Sequence, residues 1–189
     1  MSRFLEKIVV TYWRTKSAKL KTEVFSLPET LTDPRTIVVL MPSDSKEFEM
    51  ANEALKQLEI GFPRTKIFVC LNEIFRTWIP HTLISRSVII EMADFNMFSL
   101  PKTSLLQKIQ SLNCEVAIDM NSQFNLGYAA ACALSGARIR ISFDKPNSHL
   151  FYNFVIRSED TGKLSKRYEA LIKYLTSFGA PISEDSETL

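Results

Sequence analysis

The sequence predicts an α/β fold: a Rossmann-like, three-layer α/β/α domain with a mainly parallel sheet. Short apolar runs rich in β-branched residues recur at 37–41, 66–71, 87–91 and 115–119, and a further strand, Arg-Ile-Arg-Ile-Ser-Phe, lies at 138–143. Strands without polar alternation are strands covered on both faces. Between them lie segments whose apolar residues fall at helical spacing, and strands that alternate with helices pair in parallel through right-handed crossovers. The 189 residues, 46% hydrophobic and 23% charged, match one ordinary globular domain or one large lobe of a bilobal protein.

Residues 2–20 carry Phe4, Leu5, Ile8, Val9, Tyr12 and Trp13 at helical spacing, among Arg3, Lys7, Arg14, Lys16, Lys19 and Lys21. Such a basic amphipathic helix either lies on anionic lipid or packs on its own domain and exposes its lysines. Pro28 and Pro34 make 22–35 a loop. Residues 37–41 are the first central strand. After Pro42 a helix follows, with Phe48, Ala51, Leu55 and Leu58 as its buried stripe, Gly61 as its stop and Pro63 against its restart. Residues 66–71 and 87–91 are strands, 104–112 a helix, and 115–119 a strand. Residues 124–134 form a small-residue helix ended by Gly136, and 138–143 a strand. Residues 150–156 read as an extended segment crossing the surface. A helix over 163–178 presents Leu164, Tyr168, Leu171, Ile172 and Leu175 on one face, and Gly179 and Pro181 close it. Three parts result: an N-terminal helix and loop over 1–35, the α/β domain over 36–182, and an acidic tail over 183–189.

Charge and motif content exclude several functions. The net charge of +2, from 23 basic and 21 acidic residues, lacks the dense basic face of a nucleic-acid binder. Cys70, Cys114 and Cys132 are widely separated and read as reduced, buried thiols; His81 and His149 have no metal-ligand spacing, so no metal is expected. Neither Gly-x-Gly-x-x-Gly nor a Gly-Lys-Ser/Thr loop occurs, and the five glycines leave little means to cradle a pyrophosphate, so no cofactor is expected. Gly-x-Ser-x-Gly is also absent. The N-terminus has no signal-peptide core and no stretch approaches a membrane span. The expected location is the cytoplasm, with contact to the inner membrane through residues 2–20 if that helix meets lipid.

Candidate site residues follow two strands. Ser43, Asp44, Ser45, Lys46 and Glu47 lie at the carboxyl end of the first, where open α/β sheets place ligands. Their hydroxyls and carboxylates suit sugar binding or base catalysis; equally, Asp44 caps the helix and Glu47 reaches back to it. Asp119, Asn121, Ser122 and Gln123 follow the central strand at 115–119 and suit a hydroxyl-rich ligand, or supply an N-cap through Asn121 or Ser122. Glu91, Asp94 and Asn96 form a weaker third cluster.

The stretch Val116-Ala-Ile-Asp119, the helix after it and Leu134-Ser-Gly-Ala-Arg138-Ile-Arg-Ile-Ser-Phe143 resemble the pattern of glycosyltransferase family 9, the lipopolysaccharide heptosyltransferases. Ile37-Val-Val-Leu40, Ala54-Leu55 and Phe62-Pro63 resemble that family's opening strand, first helix and the Phe-Pro before its second strand. Phe151-Tyr152, Tyr168, Leu171, Tyr174-Leu175 and Gly179 resemble its last segment before the interdomain linker. The resemblance covers about 36–182 and implies one lobe of a GT-B fold, the acceptor lobe. It implies a carboxylate base after the first strand: ungapped register puts Glu47 there, and a shifted loop puts Asp44 there. The family's glycine before that carboxylate is replaced by Lys46, and Asn121-Ser122 stands where its acceptor-contacting pair falls. The ligand implied is a sugar or lipopolysaccharide-core acceptor. The chain stops where the family's donor lobe begins, so no catalysis is expected from it alone. Three roles follow: a glycan-related binding or accessory protein, the acceptor lobe of a split transferase with a donor-lobe partner chain, or a homo-oligomeric scaffold.

Overall fold

A computed structural model describes residues 11, 13, 31–158 and 163–178. The sheet comprises β1 (Thr36–Leu40), β2 (Lys66–Leu71), β3 (Ser87–Ile89), β4 (Val116–Asp119), β5 (Ile139–Phe143) and β6 (Phe154–Ile156). The helices are α1 (Ser45–Gly61), α2 (His81–Ile84), α3 (Thr103–Gln110), α4 (Leu126–Ala133) and α5 (Leu164–Thr176). All six strands are parallel in the order β3-β2-β1-β4-β5-β6. The order reverses at β1, which pairs with both β2 and β4: Val39 lies level with Val69 on one side and Ile118 on the other.

Successive strand residues point to opposite faces, and the two cores divide accordingly. Ile37 and Val39 enter one with Phe48, Leu55 and Leu58 of α1 and Leu171 and Leu175 of α5. Val38, Leu40 and Cys70 enter the other with Leu105 and Ile109 of α3 and the alanines of α4. Every residue of α4 is buried, because its small side chains let the helix lie close on the sheet. A Cβ on Gly127 would come within 2.6 Å of the Phe95 ring, so Gly127 is what seats Phe95 against this helix.

Four expectations change. Residues 150–156 do not simply cross the surface: Phe154–Ile156 is an edge strand paired with β5, and Phe151 and Tyr152 are buried. Their aromatic bulk needs cover, and pairing satisfies the backbone beside it. Gly61 is the last residue of α1 rather than a stop beyond it, and Phe62 N–H closes the helix on Leu58 O. The strand at 87–91 is shorter, ending at Ile89. In the expected loop at 22–35, Leu31 and Thr32 are helical, and Leu31 is buried in the core.

Of the N-terminal helix, only Thr11 and Trp13 are described. Both are helical, and Trp13 is buried with its ring 5.0 Å from that of Phe151. This is packing on the helix's own domain at that residue. The acidic tail over 183–189 lies outside the described residues. Among the described residues no helix is long and apolar enough to cross a membrane.

Candidate functional site

The carboxyl ends of β1 and β4 lie side by side where the strand order reverses, which brings the two predicted polar loops together. After β1, Asp44 is extended and its Oδ1 accepts the Glu47 N–H at 3.0 Å, so it is the N-cap of α1. That turn directs Glu47 inward, and it is buried. Glu47 Oε1 accepts the Ser122 N–H in a short contact. The Tyr168 hydroxyl from α5 lies 3.2 Å from the same oxygen and 2.7 Å from Met120 O, with one proton for the two acceptors. Arg167 Nη1 donates to Ser122 O at 3.3 Å.

Asp119, at the end of β4, is fully buried. Its Oδ1 accepts from Asn121 N at 3.0 Å and Asn121 Nδ2 at 2.7 Å. Its Oδ2 accepts from Lys145 Nζ at 2.9 Å and the Tyr152 hydroxyl at 2.5 Å. The Lys145 side chain is 1% exposed; its ammonium also donates to Asn121 O at 2.7 Å and stands 5.1 Å from the centre of the Tyr152 ring. A buried charge persists only when paired and hydrogen-bonded, and here both charges are. Burial, first, and the Asp119 charge, second, push the Tyr152 hydroxyl well above its ordinary value. Burial and then the neighbouring Glu47 do the same to Tyr168. Both phenols stay protonated and serve as donors to this network.

The predicted residues therefore sort by environment. Glu47, Asp119, Asn121 and Ser122 come together in one buried polar network; Ser43, Asp44, Ser45 and Gln123 are exposed above it. The third cluster is partly loop closure: Asp94 Oδ2 accepts from Glu91 N, and Asn96 Oδ1 accepts from Phe98 N and Leu100 N.

On the β1–β2–β3 side of the reversal point is a cavity of about 180 Å³. Ser43, Asn72, Glu91, Phe95, Asn125 and Tyr128 line it, with Ile90 beneath. Phe95 and Tyr128 stack with centroids 6.1 Å apart. Burial, with the Asp119 charge next, pushes the Tyr128 hydroxyl up to about 12.

Sequence reading missed Lys145, Tyr152 and Tyr168 as partners of the two carboxylates, and Asn72, Asn125 and Tyr128 as cavity residues. The signal available for Asn72 was its place directly after β2, the strand-end position that marked Ser43 and Asn121. Lys145 and the tyrosines carried no local signal, because their partners lie 26 to 121 residues away.

Residues 6–178 match the model of DUF6913, a family of unknown function. No curated protein matches the sequence. Among solved structures, E. coli heptosyltransferase WaaC with ADP-2-deoxy-2-fluoro heptose superposes with a TM-score of 0.58 at 16% identity. The match covers 79% of this chain and 50% of that one, so the chain spans about half the length of that enzyme. The likeness is one of fold: an α/β lobe of the kind found in a GT-B glycosyltransferase.

Proposed function

This chain belongs to the DUF6913 family, and we propose that it is a glycan-related binding or accessory lobe of heptosyltransferase-like fold, without sugar transfer of its own. One observation carries the reading: both carboxylates at the reversal point already hold protein donors. Asp119 accepts four hydrogen bonds, two at each oxygen. Glu47 Oε1 accepts from Ser122 N and faces Tyr168. A general base needs a lone pair within reach of the substrate proton, whereas both Asp119 oxygens and Glu47 Oε1 fix the loops after β1 and β4. The exposed Ser43, Ser45 and Gln123 beside them suit a hydroxyl-rich ligand. The test is equilibrium binding of lipopolysaccharide-core oligosaccharide to the whole chain, with ADP release from ADP-heptose measured in parallel. Saturable binding, weakened several-fold in Asn121→Ala or Glu47→Gln, without ADP release is the expected result. Absence of binding, or turnover by the chain alone, overturns it.

The position of Glu47 after β1 favours a second reading, the acceptor lobe of a transferase whose nucleotide-sugar lobe is a separate chain. Here Glu47, rather than the capping Asp44, is the base. Affinity capture from the native host should then recover a stoichiometric partner, and the pair should release ADP from ADP-heptose only with Glu47 intact. Recovery of the chain by itself removes this reading.

A further inference from the structure

We infer that the cavity at the carboxyl ends of β1, β2 and β3 is a sugar-ring subsite of this lobe, next to the loops after β1 and β4, and that it takes an uncharged, single-ring polyol rather than a phosphorylated or carboxylated sugar. The inference rests on the glycan-binding reading above and deepens it.

Its lining combines an apolar platform with donors that the protein does not use. Phe95 and Tyr128, stacked on each other, form its aromatic wall, the apolar part of a small-ligand site. Asn72 Oδ1 accepts from Ile74 N at 3.1 Å, and Asn125 Oδ1 accepts from Gly127 N at 3.0 Å and Tyr128 N at 3.3 Å. These bonds fix both amides and leave both NH2 groups without a partner among the described residues. Tyr128 is 6% exposed, and its hydroxyl likewise has no protein partner among the described residues. The two amides are half-buried and the phenol belongs to a buried residue, and two amide donors and a phenol lining one cavity match the hydroxyls of a polyol. The volume of about 180 Å³ falls below the roughly 300–1,000 Å³ of sites for drug-sized ligands, which fits one ring.

The charge of the cavity excludes an anion. Glu91 lines it, and none of its lining residues is a lysine or arginine. The helix N-termini that could cradle a phosphate are closed: Asn125 takes the first free N–H groups of α4, and Asn72 takes Ile74 N. A phosphate here would meet the Glu91 carboxylate and no cationic side chain among the lining residues.

The experiment is a 15N-resolved titration of the full chain. The probes are glucose, galactose, mannose and myo-inositol, then the 6-phosphates of the three hexoses. At least one neutral probe should shift the Asn72 and Asn125 side-chain amides saturably, and its 6-phosphate should bind at least 10-fold more weakly. Asn72→Asp and Asn125→Asp keep the caps while removing the donors, and each should weaken binding at least 5-fold. Tyr128→Phe, which keeps the ring stack, should do so as well. Equal or tighter binding of a 6-phosphate, or shifts confined to the loop at 119–123, overturns this assignment but leaves the glycan reading standing. If no probe, neutral or phosphorylated, shifts any amide while core oligosaccharide binds, this assignment fails alone. If neither binds, both fail.

Discussion

Replacing Lys145 by Met tests whether the Asp119 network holds the site together. The substitution keeps most of the side-chain volume and removes the ammonium. Asp119 and Lys145 are 0% and 1% exposed at the side chain and 2.9 Å apart. At an effective dielectric of about 20 their attraction is roughly 6 kcal/mol. The lost lysine also no longer carries its own desolvation cost, so the net loss is smaller; breaking one side of a buried pair costs about 3–5 kcal/mol. The Asn121 carbonyl loses its donor in the same step. With a urea slope of about 2 kcal/mol/M, the midpoint should fall by about 1.5–2.5 M. Asp119→Asn in the Lys145→Met background should recover part of the loss, because it removes the unpaired charge. A full double-mutant cycle separates that coupling from packing. A Lys145→Met loss below about 1 kcal/mol with no coupling to Asp119→Asn would refute the reasoning, since the pair would then contribute little to the fold.

A Cβ on Gly61 would stand 2.6 Å from Thr176 Cγ2, so Gly61→Ala should cost about 1–3 kcal/mol by overpacking α1 against α5. Thermal unfolding should show a drop of a few degrees, reversed by adding Thr176→Ser, which removes the offending methyl and keeps the 2.8 Å bond to Ile172 O; failure of that rescue places the cause elsewhere. The three free cysteines are buried, and burial pushes the Cys114 thiol up to about 12 and Cys70 and Cys132 further still, from an ordinary 9.0. The folded protein therefore keeps protons that the unfolded chain releases, and stability should fall as pH rises past about 9; a thiol-reactive disulfide reagent should label none at pH 8 until denaturant is added, and any thiol labelled in the native protein contradicts the burial.

The layered fold was legible because its cause is local. The run Ile37-Val-Val-Leu40 has no polar alternation, so it is a strand covered on both faces, and the alanines at 129–131 and 133 mark a helix lying close on a sheet. The edge strand Phe154–Ile156 was not legible as a strand. Its three residues gain their conformation from pairing with Ile141–Phe143, and a run that short has no periodicity to read. Asp44 shows the same limit at the site: a cap and a catalytic base share one residue type at one position, and its bond to Glu47 N identifies the cap.

The sequence by itself determined the alternation of strands and helices, the burial of the central strands, and the placing of polar loops after β1 and β4, since backbone propensity and hydrophobic spacing act over a few residues. Only the tertiary structure decided what those loops can do. Glu47 and Asp119 look alike in sequence as carboxylates following a strand, but Lys145 and Tyr152 arrive from 26 and 33 residues away to fill one Asp119 oxygen, and Ser122 N, 75 residues away, donates to Glu47 beside the Tyr168 hydroxyl. Whether a carboxylate is free to meet a ligand depends on which donors share its few ångströms of space, and chain topology, not local sequence, brings them there.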